Sequence, residues 1–182
     1  MPMDLEVCAY PWPDDIPPIQ QLAFSTPAQN PSQLSNAGFM ATVLPSETPQ
    51  YAFADFKEIN AKIKGKELPA GSIIIGGKNF GCGSSREQAA SCLATPGLVV
   101  VARNFARIFL QNSINVGLRT VICPTIEAEE GDELEVTATE VKNLTKGTSH
   151  PVVPLPKARQ AIVDAGGLIP YTRKLLVQER SA

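Results

Sequence analysis

The sequence predicts an α/β fold whose strands run partly in parallel. Three observations predict it. Short apolar runs bounded by turn residues, Ile73-Ile74-Ile75 and Gly97-Leu-Val-Val-Val-Ala102, have the length and content of buried strands. Helical patterns follow each of them, REQAASCLA and NFARIFLQNSIN. A third apolar run, LRTVIC, closes a β-α-β-α-β alternation, the pattern of a parallel sheet with crossover helices.

Before the alternation the chain is irregular: YPWPDDIPPIQQL carries four prolines and STPAQNPSQLSNAG is polar and turn-rich. Residues 10–50 are expected as strands and long loops. AFADFKEINAKIKG has Phe53, Phe56, Ile59 and Ile63 at helical spacing and ends at Gly65, so it predicts a short helix. After the alternation, DELEVTAT and EVKNL predict an exposed hairpin. LPKARQAIVDAGG predicts a helix closed by glycine, and LIPYTRKLLV forms the tail, with Arg173, Lys174 and Arg180 on a solvated helix face. There is no internal repeat.

The bulk properties exclude several functions. The 182 residues suit one domain with a proper core. The net charge is -2, and no basic stripe marks a nucleic-acid surface. No apolar run approaches the roughly 20 residues of a membrane span. The opening MPMDLEVCAY has neither a basic region followed by an apolar stretch nor the arginines of a transit peptide, so the expected location is the cytoplasm. Cys8, Cys82, Cys92 and Cys123 form no CxxC pair, and His150 is the one histidine. A self-contained zinc or iron–sulfur site and a disulfide framework are therefore not expected.

The chemistry is expected in GGKNFGCGSSREQAAS, residues 76–91. Ser84-Ser85-Arg86-Glu87 fits a capping box, in which Ser84 accepts from the Glu87 N–H and Glu87 reaches back. On that reading Ser84 is a helix cap and the glycines are turn residues. The same geometry also makes an anion site. A helix start offers unpaired N–H groups, glycines admit a ligand to the backbone, and Arg86 presents a planar fork to a carboxylate. The spacing is neither a P-loop nor GxGxxG, which favours a carboxylate over a nucleotide. A serine in such a loop can act as a base only if N–H groups or an arginine stabilise its alkoxide. No histidine lies nearby to build a hydrolase triad.

GKNFGCGSSREQAA, VVVARNFARIFLQNSINVGL, GDELEV and AGGLIPYTRKLL resemble the small subunit of 3-isopropylmalate dehydratase and the swivel domain of aconitase and homoaconitase. The resemblance is specific over residues 68–123, continues to residue 176, and covers well over half of the chain. Gln88, where many members carry histidine, is most similar to homoaconitase. The resemblance implies a swivel-type β/β/α domain over residues 1–182, with a mixed, partly parallel sheet flanked by helices and a divergent part about 1–50. It implies a hydro-lyase that isomerises a hydroxy-polycarboxylic acid by dehydration and rehydration. A [4Fe–4S] cluster would sit on a separate large subunit, with no cofactor bound by this chain. Ser84 would be the alkoxide base and Arg86 the carboxylate clamp. Ser85, Gly83 and the loop N–H groups would complete the pocket.

The resemblance breaks at the start. Members open with D-T-D-x-I-x-P-x-R-Y-L, and here the counterpart is PDDIPPIQQLAF. Asp14, Asp15, Ile16 and Pro18 fit, but Gln20 or Gln21 stands at the arginine position, which removes a substrate-gripping cation and leaves Gln20 as the candidate contact. Residues 25–49 are rebuilt as well. A second reading follows: a stand-alone, self-associating domain that moves a proton on, or isomerises, an unsaturated or keto acid without metal. A third is a module that binds a carboxylate without turning it over.

Other residues have both plain and functional readings. Cys82, two residues before Ser84, is a candidate nucleophile or acid beside a helix start. Lys78 and Asn79 suit turn hydrogen bonding, with Asn79 also a candidate substrate contact. Arg103 and Asn104 follow a strand end, where α/β sheets bind ligands, and either support the loop or touch substrate; Arg107 lies one turn on. Phe105, Ile108 and Phe109 are expected in the core, and His150 in a solvated loop.

Overall fold

The computed structural model describes residues 23–25, 52, 60–61, 72–82, 87–94 and 98–181. Four strands form one sheet: β1 (Ala23–Ser25), β2 (Ile73–Gly76), β3 (Val99–Ala102) and β4 (Arg119–Ile122). They lie in the order β1-β2-β3-β4, and every neighbouring pair is parallel. Parallel neighbours need crossovers. One short helix, α1 (Gln88–Ser91), links β2 to β3, and α2 (Arg107–Val116) links β3 to β4. Right-handed crossovers along a sheet that grows in one direction put both helices on one face.

The other face is covered by a second sheet, β5 (Leu134–Val136), β6 (Glu140–Asn143) and β7 (Thr148–Pro151), antiparallel throughout. Two helices end the chain, α3 (Lys157–Asp164) and α4 (Leu168–Ser181). Between β7 and α3 the chain returns to the parallel sheet, where Val153 bridges Ile122 in antiparallel sense. The result is the expected swivel-type α/β arrangement, with parallel and antiparallel pairing and helices outside.

The period-two alternation of a strand explains the layers. Ile74, Val100 and Ala102 point to the helix side and pack with Ala89, Ala90, Leu93, Phe109 and Leu118. Ile73, Ile75, Val99, Val101 and Val121 point the other way, onto Leu134 and Val141 of the small sheet. A strand buried on both faces has no polar side, so IIIG and VVVA are apolar throughout.

The structure corrects three sequence readings and adds one bridge. The helix after the glycine loop is a single turn among the described residues, Gln88–Ser91, with turns at Glu87 and at Cys92–Leu93. Thr148–Pro151 is a strand and not a loop, and His150 within it is half-buried, opposite Val141. Ile108 is 52% exposed: one residue before buried Phe109, it turns about 100° away from the core. Val153 adds an antiparallel bridge that no sequence pattern announced. Asn60 and Ala61 are helical, within the helix predicted after Ala52; the rest of that segment lies outside the described residues.

Candidate active site

The register aligns Gly76, Ala102 and Ile122 at the C-terminal ends of their strands. The segments that leave β2 (residues 77–82) and β3 (residues 103–106) therefore emerge side by side, at the end of a parallel sheet where ligands bind. They are joined. Phe80 and Phe105 form a parallel bridge beyond the strands. The Phe80 N–H donates to the Asn104 carbonyl (3.0 Å), and the Ala106 N–H donates to the Phe80 carbonyl (2.8 Å). The Asn79 N–H donates to the Asn104 side-chain Oδ1.

Within the first segment, the Cys82 N–H donates to the Asn79 carbonyl (3.1 Å), closing a β-turn over Asn79–Cys82. Its third residue is Gly81 with φ +83°, the place where a turn of this kind needs glycine. A side chain there would also run into the Phe109 ring. Asn79 has φ +56° and is the described non-glycine residue in the left-handed region. Asparagine tolerates that region better than most residues, and such outliers cluster at functional sites. Beneath the turn lie three rings. Phe80 meets Phe109 edge-on at 5.4 Å and Phe105 at 5.8 Å, and Phe105 stacks on Phe109 at 6.1 Å.

The expected site residues fall into two groups. Gly83, Ser84, Ser85, Arg86 and Gln20 lie outside the described residues, and with them the Ser84 half of the capping box. Asn79, Cys82, Arg103, Asn104 and Arg107 are described. The structure brings Asn79, Cys82 and Asn104 together in one turn and its support. Asn79 and Asn104 are exposed, Cys82 and Arg103 half-buried, and Arg107 is the exposed first residue of α2. Lys78, Arg103 and Arg107 all belong to this end of the sheet. Arg107 heads a helix whose first turn has no acidic residue and whose N-cap, Ala106, supplies no side-chain bond. An arginine there adds to the positive end of the helix dipole, and the surroundings suit an anionic ligand. One-turn α1 adds little dipole of its own, so among the described residues Lys78, Arg103, Arg107 and the start of α2 carry this character. The Asn79–Asn104 pairing spans 25 residues. Local spacing holds no signal for it; the one hint is that both asparagines follow predicted strand ends.

Among the described residues, no three His, Cys, Asp or Glu side chains meet where they could hold a metal. Cys92 lies in the core on the helix side of the sheet and Cys123 in the core on the other, so these thiols cannot share a metal. Burial pushes the Cys92 thiol up to about 12, and desolvation also raises Cys123. Both are core groups. No helix of the described residues is long and apolar enough to cross a membrane.

A family model for the aconitase C-terminal domain matches residues 34–125. The chain belongs to the aconitase C-terminal domain and isopropylmalate dehydratase small subunit family. It is similar to the 3-isopropylmalate dehydratase small subunit of Methanosarcina acetivorans, 43% identical over 140 residues, which is 75% of this chain and 83% of that one. It is also similar to the isopropylmalate/citramalate isomerase small subunit of Methanocaldococcus jannaschii, 48% identical over 120 residues, 63% and 71% of the two chains. The crystal structure of a 3-isopropylmalate dehydratase from Methanocaldococcus jannaschii superimposes with a TM-score of 0.76 at 31% identity, covering 90% of this chain and 98% of that one.

Proposed function

We propose that this chain is the cytoplasmic small subunit of an aconitase-type hydro-lyase, isomerising a hydroxy-polycarboxylic acid by dehydration and rehydration. The names of its relatives direct the first choice of substrate to substituted malates. The observation that carries the reading is the turn Asn79–Cys82, held against residues 104–106 and leading directly into Gly83-Ser84-Ser85-Arg86.

In this reading Ser84 removes and returns the proton on the carbon beside a substrate carboxylate. Serine is far too weak an acid to do so unaided, so its alkoxide needs the Ser85 and Gly83 backbone N–H groups and the Arg86 guanidinium. Arg86 binds a carboxylate through its planar fork, and Arg103 and Asn79 line the same end of the sheet. Gln20 would contact the substrate, and Cys82 stands ready as a proton donor. The [4Fe–4S] cluster of a large subunit supplies, when bound, the Lewis acid for the departing hydroxyl. Ile169 on α4 is 73% exposed, Val177 60% and Leu176 54%, the kind of surface that a protein partner covers.

The stand-alone reading rests on the opening segment, where Gln20 or Gln21 would stand at the arginine position of the family pattern. Co-expression with a cluster-bearing large subunit separates the two. The proposed function expects a stable complex that turns over substituted malates. A chain that stays apart from every such subunit and self-associates instead would favour the second reading.

A further inference from the structure

We propose that Asn104 is a positioning residue for the glycine loop: its side-chain amide oxygen sets the conformation of the turn that delivers Ser84. The inference rests on the proposed role of Ser84 and assigns a determinant outside the GSSRE motif.

Three hydrogen bonds join the turn to the segment after β3. Two are backbone pairs between Phe80 and residues 104 and 106, and any residue at position 104 could make its part of them. The third uses a side chain, the Asn79 N–H donating to Asn104 Oδ1. It falls on the one residue of the turn with unfavourable backbone geometry, since Asn79 sits at φ +56°. A left-handed residue without glycine persists where its surroundings hold it. The Asn79 carbonyl in turn accepts from Cys82, two residues before Ser84. Asn104 therefore acts on the start of a β-turn whose end is the approach to Ser84. The aromatic floor below cannot replace that bond. Phe80, Phe105 and Phe109 fix the height of the turn through ring contacts but offer no acceptor to the Asn79 N–H.

The test uses the complex with its cluster-loaded large subunit and three forms of the chain: wild type, Asn104→Leu and Asn104→Asp. Leucine keeps the size and removes the acceptor. Aspartate keeps the acceptor and adds a negative charge. For Asn104→Leu we expect kcat to fall about 10- to 100-fold, the range for misplaced reacting groups, with KM unchanged. For Asn104→Asp we expect kcat to return, with KM raised by repulsion of an anionic substrate. Hydrogen exchange on the isolated chain reads the same bond without activity: the Asn79 amide should exchange about tenfold faster in Asn104→Leu and at the wild-type rate in Asn104→Asp. Unchanged exchange at Asn79 in Asn104→Leu would overturn the proposal. So would a rise in KM alone, which would make Asn104 a substrate contact, or a loss of kcat that aspartate fails to restore. If the wild-type complex shows no turnover, the hydro-lyase reading fails, and the exchange measurement still decides whether Asn104 sets the turn.

Discussion

Phe80 stands edge-on to Phe109, ring centroids 5.4 Å apart and planes at 78°. This contact ties the turn after β2 to the helix after β3, and Gly81 in that turn lies so close to Phe109 that an added Cβ would collide with it. Gly81→Ala is therefore expected to cost about 2–4 kcal/mol, combining a left-handed backbone with overpacking. Phe109→Ala alone should cost about 3–5 kcal/mol. The double variant should lose less than the sum, because removing the ring removes the contacts with Phe109 Cγ and Cδ1, while the contact with Phe109 Cβ stays. Urea unfolding of the three variants measures this; strict additivity would count against the contact.

A second glycine has the same backbone constraint with harder surroundings. Gly117 ends α2 at φ +74°, and a Cβ there would lie 2.5 Å from the Gly166 carbonyl carbon and 2.6 Å from its oxygen. Gly131 has φ +91° but open space around it. Gly131→Ala should lose only the left-handed penalty, about 1–2 kcal/mol. Gly117→Ala should lose clearly more, since the obstacle is main chain and cannot swing aside. Thermal unfolding of the pair gives the comparison.

Asp132 should make the small sheet sensitive to acid. Its carboxylate is held below the ordinary value of 3.8 first by the Glu129 N–H, then by the Asn143 amide, with Lys146 adding its charge. A carboxyl whose folded pKa is depressed contributes stability above its unfolded pKa and loses it as pH falls through the folded one. Asp132→Ala should therefore cost about 1–3 kcal/mol at neutral pH. The gap to wild type should narrow only below about pH 3.8. Urea midpoints across about pH 2.5–7 would show it as roughly constant above pH 5 and shrinking in acid.

The thiols should separate by layer. Cys92 is buried with its pKa near 12, and Cys123 is buried with its pKa also raised. Cys82 is half-buried at the end of the turn. A thiol reagent at about pH 8 should leave Cys92 and Cys123 unlabelled in the folded chain and reach them only in denaturant, because the thiolate is the reacting form. Mass mapping of labelled peptides reads this directly; labelling of Cys92 under native conditions would contradict its place in the core.

Much of the architecture was legible because burial writes itself into composition. Strands covered on both faces must be apolar throughout, so IIIG and VVVA declared themselves. Of the helix read over NFARIFLQNSIN, the part from Arg107 onward is helical, while Asn104, Phe105 and Ala106 lie in the bridge segment before it. The strand Thr148–Pro151 was not legible. It is mostly exposed, ends in proline and carries no alternating apolar face, so its place comes from backbone pairing with Glu140–Asn143. Ile108 misled for the opposite reason, since an apolar residue beside Phe109 need not share its face. At the candidate site, the glycine at position 81 could be read as a turn residue from its neighbours. The Asn79–Asn104 pairing could not, because only the register of β2 with β3 brings the two residues together.

If Ser84 is the base of a hydro-lyase that works only with a partner subunit, one comparison decides it. Turnover of a panel of hydroxy and unsaturated di- and tricarboxylates is followed for the purified chain, alone and with a [4Fe–4S] large subunit, with Ser84→Ala beside it. The expected outcome is no turnover by the chain alone, turnover in the complex, and a loss of at least about 100-fold in kcat for Ser84→Ala with KM little changed. Turnover by the lone metal-free chain, or a complex that runs at full rate with Ser84→Ala, would refute that role for Ser84 and its partner.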